Sequence, residues 1–193
     1  MGARIRSFVA VHLSEEVRQS LGKLQDELRR PVERLAQVKW VPPGLMHLTL
    51  QFLGDVDEGL LPKLVDSLRG GFGDTPPFEV EMAGAGAFPS PGRPRVLWAG
   101  CRRGVDGLKA LVSATCGVTG PLGFPAEDRP FKAHITLGRI KDGSRPGDLG
   151  PCLAGLAERE LGRCQIERVY LMKSELRPSG PVYTVLDSFP LGR

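Results

Sequence analysis

Apolar residues crowd Ile5 to Val11, which predicts a first core strand. Ser14 then offers a helix N-cap, with Glu15 and Glu16 suited to the positive end of the helix dipole. Val17, Leu21, Leu24 and Leu28 recur at helical spacing until Pro31, where the pattern predicts an interruption. Trp40 leads through Pro42-Pro43-Gly44 into a strand over Met46 to Leu53, which Gly54-Asp55 should end. Leu60, Leu61, Leu64, Val65 and Leu68 mark a second amphipathic helix, and Phe78, Val80 and Met82 alternate as a strand.

The second half repeats this order. Arg95 to Ala99 reads as a strand, and Val105, Leu108, Leu111 and Val112 as a helix. A Pro/Gly-rich stretch from Gly120 to Pro130 precedes a strand over Ala133 to Ile140. Leu149, Leu153, Leu156 and Leu161 predict a further helix. Strands over Ile166 to Leu176 and Val182 to Phe189 close the chain around a Ser179-Gly180-Pro181 turn. Each half therefore runs strand, helix, strand, helix, strand. The expected architecture is α+β and bilobal: two lobes related by a pseudo-two-fold axis, with antiparallel sheets lining a central groove and helices outside. A single bilobal domain spans 1–193, with lobes from about 1–90 and 91–193 and an exchange of terminal strands left open. The segment Phe88 to Pro94 would be their linker or a mobile loop.

Composition narrows the class. At 41% hydrophobic and 25% charged residues, the chain is ordinary for a globular protein. No apolar run approaches the roughly 20 residues that span a bilayer, so no membrane role is expected. Basic residues ahead of Phe8-Val9-Ala10-Val11 resemble the opening of a signal peptide, but the apolar part is short and Glu15 and Glu16 stand where a cleavage site would lie. A cytoplasmic location is expected. Cys101, Cys116, Cys152 and Cys164 form no close pair, which reads as reduced thiols rather than a zinc site. A net charge of +4 tilts the surface weakly toward anions. Its distribution matters more, because Arg129, Lys132, Arg139, Lys141 and Arg145 crowd around the strand at 133–140.

Two of the three histidines lie in matching tetrapeptides, His47-Leu48-Thr49-Leu50 and His134-Ile135-Thr136-Leu137. On a strand, residues two apart share a face, so each segment presents an imidazole beside a hydroxyl and anchors its aliphatic residues in the core. A pair of imidazoles on opposite walls of a groove can divide acid and base work across one phosphorus atom. Threonine hydroxyls, amides and nearby cations would stabilise the non-bridging oxygens. Neither a metal nor another cofactor is expected, since Asp55, Asp57 and Glu58 fall in a turn and helix start rather than a cluster. His12 has no threonine partner and reads as structural, Phe8 and Trp40 read as core, and Tyr183 is a candidate to line the groove.

The segments HLTLQFLG (His47 to Gly54) and RPFKAHITLGR (Arg129 to Arg139) resemble the two signatures of the two-histidine phosphoesterase superfamily. The opening RSFVAVHL, Trp40 and the closing MKSELRPSGPVYTVLDSF extend the resemblance nearly end to end. Within it the chain is similar to the RNA 2′,3′-cyclic phosphodiesterases, also called 2′-5′ RNA ligases. Ala133 stands where that family more often has proline. The resemblance implies metal-independent hydrolysis of an RNA terminal 2′,3′-cyclic phosphate to a 2′-phosphate, and a reverse 2′-5′ ligation. It implies His47 as proton donor and His134 as proton acceptor, with Thr49, Thr136, Arg129, Lys132 and Tyr183 binding substrate. The implied partner is RNA with a cyclic phosphate end, including tRNA-like fragments, with no obligatory protein partner. Whether Arg139 and Trp40 touch substrate is open. Two alternatives stand beside it: a phosphodiesterase of small cyclic nucleotides or related metabolites, and a catalytically idle RNA-binding module.

Overall fold

The computed structural model describes residues 3–178 and 180–192. Ser179, part of the expected closing turn, lies outside them. In chain order the elements are β1 (Arg4–Val11), α1 (Glu15–Glu33), β2 (Val38–Trp40) and β3 (Leu48–Asp57). There follow α2 (Leu61–Gly70), β4 (Phe78–Phe88), β5 (Val96–Arg103), α3 (Val105–Thr119) and β6 (His134–Ile140). The chain closes with α4 (Gly150–Leu153), β7 (Glu160–Ile166), β8 (Arg168–Arg177) and β9 (Gly180–Pro190).

Among the described residues all pairings are antiparallel, in a four-stranded sheet ordered β3-β1-β8-β9 and a five-stranded sheet ordered β2-β6-β5-β4-β7. The pseudo-two-fold is visible in these orders. β1 and β5 hold equivalent places, each paired on one side with a His-Thr strand (β3 or β6) and followed in sequence by a long helix. The sheets do not divide near residue 90: β4 leaves the first half to pair with β5, and β8 and β9 return from the second half to extend β1. The segment after Phe88 is correspondingly no lobe linker. It closes a β4–β5 hairpin in which Phe88 faces Val96 and Arg95 N–H donates to the Phe88 carbonyl at 2.7 Å.

Other expectations shift for local reasons. The Ser14 cap forms as expected, its hydroxyl accepting from Val17 N–H at 3.3 Å. Pro31 does not stop α1, because it sits in the last turn, where Val32 still buries against the core. Gly54 does not end β3 but takes φ +70°, a conformation glycine adopts without strain, and the strand runs on to Asp57. The helix expected from Leu149 to Leu161 shrinks to α4, and Leu161 belongs instead to β7, paired beside β4. The strand expected over Ile166 to Leu176 is β8, except that Ile166 itself ends β7 and Glu167 lies between the two.

One continuous apolar cluster joins both sheets and the helices, including Val9, Leu21, Leu64, Leu111, Leu137 and Leu171. Leu48 and Leu50, and Ile135 and Leu137, bury into it, which fixes the register of both His-Thr strands.

Candidate active site

His47, Thr49, His134 and Thr136 all line one cleft of about 630 Å³. The two strands reach it by the same backbone device. Thr49 faces Ala10 and Gln51 faces Val9, so Leu50 is an extra, bulged residue. Thr136 faces Trp98 and Gly138 faces Leu97, so Leu137 is its counterpart. A bulge breaks the strict alternation of a strand. Leu50 and Gln51 are both buried, as are Leu137 and Gly138. The residue three past each threonine then returns to the cleft: Phe52 on one wall, Arg139 on the other. Buried glutamines brace both places. Gln51 donates to the carbonyls of Phe124 and Pro125 at 3.0 and 3.2 Å, and Gln25 from α1 donates to those of Leu137 and Val41 at 2.6 and 2.7 Å.

Each imidazole is oriented identically. His47 Nδ1 lies 2.8 Å from the carbonyl of Leu45, and His134 Nδ1 lies 2.7 Å from that of Lys132. A carbonyl only accepts, so both Nδ1 atoms carry hydrogen and both Nε2 atoms are left for proton transfer.

Their surroundings differ. Phe8 stacks on His47 with centroids 4.8 Å apart, and Tyr183 stands edge-on to both rings at 5.2 Å. This burial pushes the His47 pKa below the ordinary 6.5, opposed by the Leu45 hydrogen bond. Phe8, read from the sequence as core, is both 2% exposed and a wall of the cleft. His134 meets the edge of Phe88 at 5.0 Å. Extending the β1–β3 register past Val11 and Leu48 puts His12 opposite His47. His12 stacks on Tyr170 at 3.9 Å, and burial first, then the charges of His47 and Arg18, lower its pKa.

The cleft walls include Tyr183, as the sequence allowed, and Trp40, Arg6, Lys39 and Arg139. They do not include Arg129 or Lys132. Lys132 commits its carbonyl to His134 while its ammonium lies 5.6 Å over the Phe88 ring, and Arg129 is exposed in the loop before β6. Lys39 and Phe52 escape sequence reasoning because the alternation rule has no term for a bulge or for β2, a three-residue strand, and Arg6 escapes it because Phe8, on the same face of β1, reads as core. The available signal is the shared Thr-Leu pair, with two core residues in succession after each threonine. Among the described residues, no group of three or more His, Cys, Asp or Glu side chains is placed to hold a metal ion.

The family profile described as LigT like Phosphoesterase matches residues 11–98 and 105–183. The chain belongs to the LigT-like phosphoesterase family. Among curated relatives, a Methanothermobacter thermautotrophicus protein named RNA 2′,3′-cyclic phosphodiesterase is 35% identical, over 97% of this chain and 100% of its own. A Thermus thermophilus protein of the same name is 38% identical, over 97% and 90% respectively. Among solved structures, the fold matches a Thermus thermophilus protein at 37% identity and TM-score 0.80, covering 98% of this chain and 100% of that one. E. coli LigT complexed with 3′-AMP, at 24% identity, shares the fold with TM-score 0.77 over 98% and 99% of the two chains. The LigT-like fold thus arrives with its paired histidines in one cleft.

Proposed function

We propose that this LigT-like phosphoesterase hydrolyses RNA terminal 2′,3′-cyclic phosphates to 2′-phosphates by two-histidine general acid–base catalysis. The observation that carries the reading is the pair of Nδ1-anchored imidazoles, each with its threonine, on one cleft. His134 Nε2 accepts a proton from water as the water oxygen attacks phosphorus. The P–O3′ bond breaks, and His47 Nε2 gives its proton to the departing O3′, leaving a 3′-hydroxyl and a 2′-phosphate. Thr49 and Thr136 donate to the non-bridging oxygens as charge develops there. Tyr183, packed edge-on to Phe8 and His47 and lining the same cleft as Arg139 and Arg6, contacts the nucleotide.

The acid–base assignment agrees with the electrostatics. Burial makes protonated His47 a stronger acid than an exposed imidazole, which suits a donor to an alkoxide. An anionic phosphate arriving beside it restores its proton. With an RNA 5′-hydroxyl in the place of water the same groups keep the same roles: the 5′ oxygen attacks phosphorus, the P–O3′ bond breaks, and a 2′-5′ linkage with a free 3′-hydroxyl results.

The test supplies an RNA oligonucleotide with a 2′,3′-cyclic phosphate end, with excess chelator, and identifies the product. A 2′-phosphate formed at an undiminished rate, with a bell-shaped pH profile, is the expected result. A 3′-phosphate product reverses the direction of proton transfer, and loss of turnover with chelator removes the two-histidine mechanism.

A further inference from the structure

Lys39 stands directly opposite Arg139 across the β2–β6 ladder, and both side chains line the cleft. Like charges at facing positions repel and destabilise the pairing unless an anion lies between them. Among the described residues neither side chain is in a salt bridge, unlike Arg29, which pairs with Glu33 at 3.5 Å. Glu33 is also committed to Trp40 Nε1, at 2.7 Å. The strands that carry the pair lie close together. A Cβ on Gly138 would lie 2.7 Å from Val38 Cγ1 and 3.1 Å from Trp40 Cε3, so only glycine lets β2 lie this close to β6.

Position supplies the rest. Arg139 lies on β6, the strand that carries His134 and Thr136, and lines the same cleft as they and Tyr183 do. Lys39 is one strand further out, about 4.8 Å, on the edge strand of the five-stranded sheet. A polynucleotide leaving the cleft over that edge carries its next phosphate past Lys39. A cyclic mononucleotide has nothing to put there.

We propose that Lys39, with Arg139 beside it, forms a second phosphate site that holds the internal 3′–5′ phosphodiester next to the terminal nucleotide, and so selects an RNA strand over a cyclic mononucleotide. The identity of the terminal group rests on the phosphodiesterase reading; the second site does not.

Binding separates the two. The probes are a mononucleotide 2′-phosphate and a dinucleotide ending in a 2′-phosphate, titrated into wild type, Lys39→Gln and Lys39→Arg across a salt series. Wild type should prefer the dinucleotide. Lys39→Gln should weaken dinucleotide binding about tenfold, as loss of one charge-assisted contact does, and flatten its salt slope by about 0.7. The mononucleotide should lose far less, so the ratio collapses, and Lys39→Arg should preserve it. Equal losses on both probes, or no loss on either, overturn the second site. Cyclic-phosphate turnover is read in parallel on wild type: its absence, with the dinucleotide preference intact, removes the phosphodiesterase reading and leaves the site standing.

Discussion

The two walls of the cleft share a backbone and differ in what they display. On each, a His-Thr strand pairs beside a central strand, bulges one residue after the threonine, and turns the next-but-one side chain back to the cleft. On the β3 wall that residue is Phe52, 53% exposed, near Phe8 and Tyr183. On the β6 wall it is Arg139, with Lys39 alongside. The symmetric part suits phosphorus, where attack and departure occur on opposite sides. The asymmetric part suits a nucleotide, which has an aromatic base and an anionic backbone. The repeated element order carries the first, and the difference at one equivalent position, Phe52 against Arg139, carries the second.

The strongest way to break the symmetric half of this comparison is to remove either imidazole. His47→Ala and His134→Ala should each lower kcat by about a hundred- to ten-thousand-fold, with unchanged circular dichroism. A substrate with sulfur at the 3′ bridging position then separates the walls, because a thiolate departs without a proton. The His47→Ala deficit should shrink on that substrate and the His134→Ala deficit should persist. Equal deficits on both substrates would reject the assignment of acid to one wall and base to the other.

The asymmetric half is sharpened by Phe52→Ala and Arg139→Gln. Loss of one base–aromatic contact costs about 1–3 kcal/mol, so Phe52→Ala should raise KM by roughly five- to a hundredfold and leave its salt dependence alone. Arg139→Gln should flatten the salt slope by about 0.7. Salt titration of KM for both variants checks this, and an identical salt response in the two would erase the distinction between walls.

This pair also marks where sequence reasoning stops. Both histidines and both threonines are legible because His-x-Thr keeps its two residues on one face under plain alternation. Beyond the threonine, alternation puts Gln51 and Gly138 in the cleft, and the bulges bury them instead. Sheet membership fails for a related reason. Periodicity finds β4, β8 and β9, but whether a strand pairs within its own half is a long-range choice that no local pattern carries. The resemblance implies that Arg129 and Lys132 bind substrate, but neither lines the cleft: the Lys132 carbonyl turns toward His134 and its ammonium lies over Phe88.

A smaller effect concerns the environment of His47. Phe8→Leu opens the stacked face of the ring while keeping the site apolar. The His47 pKa, now held down chiefly by burial, should rise toward 6.5. Under the proposed assignment His47 works protonated, so the alkaline limb of kcat/KM should move to higher pH, with a rate change of less than tenfold near neutrality. Titration of the imidazole by NMR measures the shift directly. A limb that stays fixed in Phe8→Leu while the His47 pKa moves would assign the proton donor's role to another group.

The smallest expected effect is on stability. His47 and His12 both have folded-state pKa values lowered by burial, and their charges oppose each other across the mouth of β1 and β3. The unfolded chain therefore binds more protons than the folded one once pH drops below about 6.5. Stability from this pair is present above that pH and is lost as pH falls through the lower, folded-state values. His12→Asn removes one of the two titrating groups and the repulsion between them. Its melting temperature should accordingly decline less steeply than wild type between pH 7 and pH 5, by a few degrees at most, since each kcal/mol moves the midpoint of a chain this size by about 2–4 °C. A parallel decline in both proteins would mean that His12 binds the same complement of protons folded and unfolded, and that His47 bears the acid sensitivity of this wall alone.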